Sequence, residues 1–129
     1  MDFKRILKWF LIVGGLIEVM IGFFLMVLHP FLKEDNILTV PIFNQMAGTF
    51  LFGFGILLIY SSKSIETYRI IPIVNILLRI MMIVFSIIQL PQYPSFFMIL
   101  IPAMIYDGTW SIIVVILMLH LRLLELKRE

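Results

Sequence analysis

The chain has no cysteine and carries little charge. The first absence excludes disulfide frameworks, thiolate zinc sites, cysteine-ligated iron–sulfur clusters and thiol nucleophiles. Charged residues make up only 14% of the chain, against roughly 25% in soluble domains. The formal net charge of +2 is too small to indicate binding of a polyanion. With 62% of the residues hydrophobic, this low charge excludes a soluble enzyme, a disordered protein and a nucleic-acid-binding module.

What the chain has instead is apolar sequence in long runs. Of its 129 residues 62% are hydrophobic, and the mean hydropathy is +1.11. A helix needs about 20 apolar residues to cross a bilayer core of about 30 Å. Four segments qualify, at about 6–28, 42–60, 70–90 and 97–119. The sequence predicts an all-α fold, a four-helix transmembrane bundle that forms one integral membrane domain over residues 1–129.

Basic residues at the ends of the spans and between them predict the orientation of this bundle. If four spans are threaded, eight basic residues fall on one side of the membrane and only Lys33 on the other. Since cytoplasmic loops carry the excess of lysine and arginine, we expect both termini in the cytoplasm and the protein in the cytoplasmic (inner) membrane. The first apolar run is too long for a cleaved signal, and we expect it to be retained. The eight residues are Lys4, Arg5, Lys8, Lys63, Arg69, Arg122, Lys127 and Arg128.

Three ionisable residues, Glu18, Arg79 and Asp107, lie well away from the ends of the spans. At about 1.5 Å per residue all three fall near the middle of the bilayer. An ionised side chain facing lipid there is unfavourable by roughly 2.5–3.5 kcal/mol. We therefore expect all three to turn inward, with Arg79 pairing one or both acids and Glu18 as the member that takes up a proton. The alternative interpretation is a structural ion pair that fixes helix register.

Other polar and aromatic residues share faces with these charges. Asn75 precedes Arg79 by one turn, and Tyr106, Trp110 and Ser111 neighbour Asp107 on the fourth span, so these four complete a predicted ligand-binding or proton-linked site. Asn44 and Gln45, near the outer boundary, either hydrogen-bond to loop backbone or, together with His29, line the mouth of a cavity. We predict no metal site. His29 with the loop acids Glu34 and Asp35 could form one, but we interpret these residues as solvated charge in a loop. The three mouth residues are His29, Asn44 and Gln45.

The chain resembles the small four-span DoxX-like bacterial membrane proteins and the uncharacterised families grouped with them. That resemblance implies a four-helix bundle, in some members an accessory subunit of a quinone-linked oxidoreductase. It rests on a basic start, on paired and spaced glycines in the first two spans, on a proline after the first span and on basic residues entering and within the third. These residues are Gly14, Gly15, Gly22, Pro30, Gly48, Gly55, Tyr68, Arg69 and Arg79.

The first span is also similar to that of the small multidrug resistance transporters. The segment from Gly14 to Gly22 is glycine-rich and carries one acid, Glu18, at the position of that family's key residue. This similarity implies a homodimeric, proton-coupled exporter. The chain departs from that family's pattern by carrying Arg79 and Asp107 in the third and fourth spans.

Three functions remain open on the sequence. The leading hypothesis is a non-enzymatic membrane module that either binds a lipid-like or quinone-like molecule or docks onto larger membrane partners as an accessory subunit. Its expected partners are the lipid bilayer and either a second copy of the chain or a larger membrane complex. The alternative is a proton-coupled homodimeric exporter of small molecules that uses Glu18. The third is a membrane enzyme whose two midplane acids perform general acid–base chemistry on a lipid. No cofactor can be named from the residues.

Overall fold

The computed structural model describes residues 2–27 and 40–124. Within these ranges the chain forms four long helices and no strand, which confirms the predicted all-α bundle. The helices are α1 (Phe3–Val27), α2 (Pro41–Ser61), α3 (Ile70–Gln89) and α4 (Phe97–His120), with a short 3-10 turn at Pro94–Phe96 before α4. Each is long and apolar enough to cross a membrane.

Local sequence explains where the helices begin. The carboxylate of Asp2 accepts a hydrogen bond from the backbone N–H of Arg5 at 3.2 Å, which satisfies a donor that the first turn of a helix leaves open. Helix α1 therefore starts at Phe3, three positions before the predicted start of the first span. Pro41 occupies the first position of α2, where a missing N–H breaks no helical bond.

The four helices alternate in direction, so α1 begins at the end of the bundle where α4 finishes. The rings of Phe3 and His120 pack there with centroids 4.1 Å apart. At the same end Arg69 donates a hydrogen bond to the backbone carbonyl of Leu123. We call this the basic end, because every basic side chain of the described ranges except Arg79 lies there.

Helix α1 packs most extensively against α2, and the contact is made through glycine. A Cβ on Gly22 would lie 2.6 Å from the carbonyl oxygen of Gly48, and one on Gly15 would lie 2.6 Å from that of Gly55. Within each helix the two glycines are seven residues apart, so both lie on the same face. The backbones therefore touch directly, as the small residues in these spans predict.

The buried apolar core occupies only one half of the bundle. All buried hydrophobic side chains of the described residues lie between the level of Arg79 and the basic end, among them Leu7, Leu58, Val114 and Met118. Toward the opposite end the only buried residues of the described ranges are Gly22, Gly48 and Ser86. The region around Arg79 is thus sealed tightly from one side and packed more loosely on the other.

Candidate functional site

Arg79 lies at the centre of a cluster that joins three helices. Its Nε donates to the side-chain oxygen of Asn75 at 2.7 Å, its Nη2 to Oε1 of Glu18 and its Nη1 to Oδ1 of Asp107. The amide of Asn75 also donates to Oε1 of Glu18, at 2.8 Å. The predicted buried ion pair is present, and one guanidinium connects α1, α3 and α4 through charge-assisted bonds.

Two aromatic rings cover the same guanidinium. The Cζ of Arg79 lies 4.3 Å from the ring centre of Trp110 and 5.1 Å from that of Tyr106. A cation this close to an aromatic face is attracted by the ring's negative quadrupole. The arginine is thus surrounded by two acids, one amide and two aromatic rings, and only 5% of its surface is exposed.

The position of Trp110 depends on a glycine. A Cβ on Gly14 would lie 2.4 Å from the indole Nε1, so only a residue without a side chain leaves room for the ring. The indole N–H donates to the backbone carbonyl of Phe10 at 3.3 Å. Helix α1 therefore presents one face, carrying Gly14 and Glu18, to the cluster, while the neighbouring face with Gly15 and Gly22 packs against α2.

The charges and hydrogen bonds of the cluster do not balance. Two acids face one base, so the cluster carries a net charge of −1 when all three are ionised. The second oxygen of Glu18, the hydroxyl of Tyr106 and the hydroxyl of Ser111 are buried without a hydrogen-bond partner among the described residues. A buried polar atom left without a partner is unfavourable by about 1–3 kcal/mol. A hydrogen-bond partner from outside these residues, such as a water molecule or a ligand, would remove that penalty.

The three charged residues differ in how far they are enclosed. The side chains of Glu18 and Arg79 are 5% and 6% exposed, whereas that of Asp107 is 23% exposed. Asp107 therefore pairs with Arg79 from the edge of the bundle. Of the three charged side chains, that of Asp107 is the most accessible from outside the bundle.

The structure brings together most of the predicted site residues. Glu18, Asn75, Arg79, Asp107 and the rings of Tyr106 and Trp110 form one connected cluster. Ser111 is buried one turn beyond Asp107 on α4. Its hydroxyl contacts no hydrogen-bond partner among the described residues.

The predicted cavity mouth is described only in part. Asn44 is half-buried in the first turn of α2, and its side-chain nitrogen is buried without a partner among the described residues. Gln45 is exposed, and its backbone carbonyl accepts a hydrogen bond from the hydroxyl of Thr49 at 2.8 Å. His29 lies outside the described residues, as do the loop acids Glu34 and Asp35.

Within residues 2–27 and 40–124 no three side chains of the types that hold metal ions come together. The cluster offers two carboxylates, but both bind the guanidinium of Arg79, whose positive charge opposes a cation at the same place. The arrangement is better suited to hydrogen-bonding a neutral or protonated group than to holding a metal.

The chain matches no family model, no curated protein and no solved structure. Its resemblances to DoxX-like proteins and to small multidrug resistance transporters therefore stay predictions, and arguments about function rest on the geometry of this chain.

Two features of the site were not predicted from the sequence. The contact of the Arg79 guanidinium with the rings of Trp110 and Tyr106 could not be predicted, because it depends on the rotation of α3 relative to α4. The contact of Gly14 with Trp110 was also missed. Its only signal was the position of Gly14 one turn before Glu18, which marks a close approach without naming the partner.

Proposed function

We propose that this chain is a non-enzymatic, multi-pass membrane protein that binds the polar head of a lipid-like or quinone-like molecule at the Glu18–Arg79–Asp107 cluster. It acts alone, as a homodimer or as an accessory subunit of a larger membrane complex. The observation that carries the proposal is the pair of unpartnered polar atoms beside Arg79, the second oxygen of Glu18 and the hydroxyl of Tyr106.

The chemistry of these two atoms indicates the class of ligand. The hydroxyl of Tyr106 can donate to a carbonyl, and the free oxygen of Glu18 can accept from a hydroxyl. A quinone, a quinol or a lipid ester carries such oxygens next to an apolar tail. Long exposed side chains on α3 and α4, such as Ile80 and Ile105, are the kind of surface that such a tail contacts.

The packing asymmetry supports a direction of entry. The apolar core fills the bundle between the cluster and the basic end, whereas the opposite half has few buried residues within the described ranges. We infer that the ligand enters from the half that lies away from the basic end. By the positive-inside rule we expect the basic end in the cytoplasm of an inner-membrane protein, and we propose that this entry faces the outer leaflet.

Fluorescence of Trp110 tests the proposal. The chain has two tryptophans, and Trp9 is 57% exposed, so a Trp9→Phe background leaves Trp110 as the only reporter. Titration of the detergent-purified protein with decylubiquinone is expected to quench this fluorescence in a saturable way. Tyr106→Phe is expected to weaken the apparent affinity about three- to tenfold, since one hydrogen bond is worth about 0.5–1.5 kcal/mol.

Tyr93→Phe is the matched control, because it removes the same hydroxyl from an exposed ring outside the cluster. It should leave the titration unchanged. Quenching that never saturates, or that Tyr106→Phe and Tyr93→Phe affect equally, would contradict binding of this probe at the cluster. A lipid extract of the purified protein with no bound species, together with no co-purifying subunit, would remove the proposal altogether.

A second candidate, the proton-coupled homodimeric exporter, is favoured by one observation. Two acids share one base, and one oxygen of Glu18 remains able to carry a proton. Such an exporter would release protons when the purified protein is mixed with a hydrophobic cation such as tetraphenylphosphonium, and Glu18→Gln would abolish the release while Glu66→Gln would not. The binding module proposed above predicts no release from any of the three proteins.

A further inference from the structure

A cleft of about 400 Å³ opens at the basic end, between the first two turns of α1 and the loop that joins α2 to α3. Both segments contribute basic side chains, so the cleft combines charges that are far apart in the sequence. Its charged lining consists of Lys4, Arg5, Lys8, Lys63, Asp2 and Glu66.

The two acids of this cleft are already engaged. Asp2 accepts a hydrogen bond from the backbone at the start of α1. Glu66 pairs with Lys4 at 2.6 Å, and this hydrogen bond holds the pKa of Glu66 below its usual range. Glu66 is therefore ionised at neutral pH and paired with Lys4.

The other three basic side chains have no carboxylate partner among the described residues. Arg5 and Lys8 form no ion pair there, and Lys63 lies over the ring of Tyr60 at 5.0 Å. Four positive and two negative side chains leave the cleft with a charge of +2. The free N–H groups at the start of α1 add a partial positive charge at the same place.

The surface of α1 next to the cleft carries a line of exposed apolar side chains that an acyl chain could contact. Trp9, Val13 and Leu16 follow Arg5 at spacings of four, eight and eleven residues, which places all four on one face of α1. The three apolar side chains are 57%, 49% and 49% exposed. An apolar strip therefore begins at the charged cleft and runs along the helix, as the acyl chain of a lipid would.

We propose that this cleft binds the phosphate of an anionic phospholipid, with Arg5, Lys8 and Lys63 around the headgroup and one acyl chain along Trp9, Val13 and Leu16. The site is independent of the Glu18–Arg79–Asp107 cluster, which lies halfway along the helices. Occupancy would tie α1 to the loop between α2 and α3 and fix the depth of the bundle in the membrane.

Native mass spectrometry of the full chain tests the site. The detergent-purified protein is mixed with equal amounts of phosphatidylglycerol and phosphatidylcholine that carry the same acyl chains. We expect phosphatidylglycerol to be retained preferentially, and Arg5→Gln with Lys63→Gln to lower that preference about tenfold, because each basic group near an anionic headgroup adds attraction. Arg5→Lys with Lys63→Arg should keep the preference, since it keeps the charge.

The charge-matched control is Arg69→Gln with Arg122→Gln, which removes two positive charges from the basic end at positions that do not line the cleft. This variant should retain phosphatidylglycerol as well as the unaltered chain does. Equal retention of the two lipids, or an equal loss in the control, would overturn the proposal. So would displacement of phosphatidylglycerol by an equimolar amount of inorganic phosphate, because the ligand would then be a free anion rather than a lipid.

Discussion

Replacing Arg79 by methionine is expected to destabilise the bundle more than any other single substitution in the cluster. Methionine fills similar space, but it leaves the carboxylates of Glu18 and Asp107 buried or half-buried without a counter-charge. Removing one partner of a buried ion pair typically lowers the free energy of unfolding by about 3–5 kcal/mol. The free energy of unfolding, measured by titration of the detergent-solubilised protein with sodium dodecyl sulfate, is the quantity to compare.

A second variant distinguishes the loss of the counter-charge from a loss of packing as the cause of the lower stability. A triple variant, Glu18→Gln, Arg79→Met and Asp107→Asn, keeps the shapes and removes all three charges. It should recover most of the stability that Arg79→Met alone loses, because a neutral cluster has no unpaired charge to bury. If the triple variant is as unstable as Arg79→Met, then the contact of the guanidinium with the rings of Trp110 and Tyr106 holds the helices together, and not the ion pair.

The pH dependence of the stability loss in Arg79→Met tests independently whether unpaired carboxylates cause it. The carboxylates that Arg79→Met leaves unpaired become neutral when they bind protons, and a neutral carboxyl group needs no cation. The loss of stability in Arg79→Met should therefore shrink as the pH falls, whereas the loss caused by a packing defect would not depend on pH in this way.

The fold could be predicted from the sequence and the site only in part, because the two depend on different kinds of interaction. Four apolar runs predict four helices because burial in lipid depends on the composition of each run alone. The pairing of Arg79 with acids was predictable for a similar reason, since an isolated charge in an apolar interior is unfavourable wherever it lies. Neither argument requires knowing how the helices are rotated against one another.

The remaining features depend on how the helices are rotated relative to one another, and this rotation cannot be derived from the sequence alone. Gly14 and Gly15 are neighbours in the chain, yet the first admits the ring of Trp110 and the second the backbone of α2. The same limit applies to the cleft at the basic end. Charge counting placed Lys8 and Lys63 on one side of the membrane, but only packing of the loop against α1 brings them to one opening.

Gly22 is the position where the contact between α1 and α2 is most sensitive to a single added methyl group. A Cβ there would lie 2.5 Å from the backbone nitrogen of Phe52 and 2.6 Å from the carbonyl oxygen of Gly48. Both neighbours are backbone atoms, so no side chain can turn away to make room. The two helices must separate, and we expect Gly22→Ala to lower the free energy of unfolding by about 1–3 kcal/mol.

Gly53→Ala provides the control on the same helix pair, because a Cβ at Gly53 meets nothing within 4 Å. It changes helix propensity without a clash and should be neutral or stabilising by up to about 1 kcal/mol. The reciprocal change Gly48→Ala should resemble Gly22→Ala. Since each opens the same contact, the double variant should lose less than the sum of the two single losses. Additive losses, or a Gly53→Ala as unstable as Gly22→Ala, would mean that the helices do not touch through these glycines.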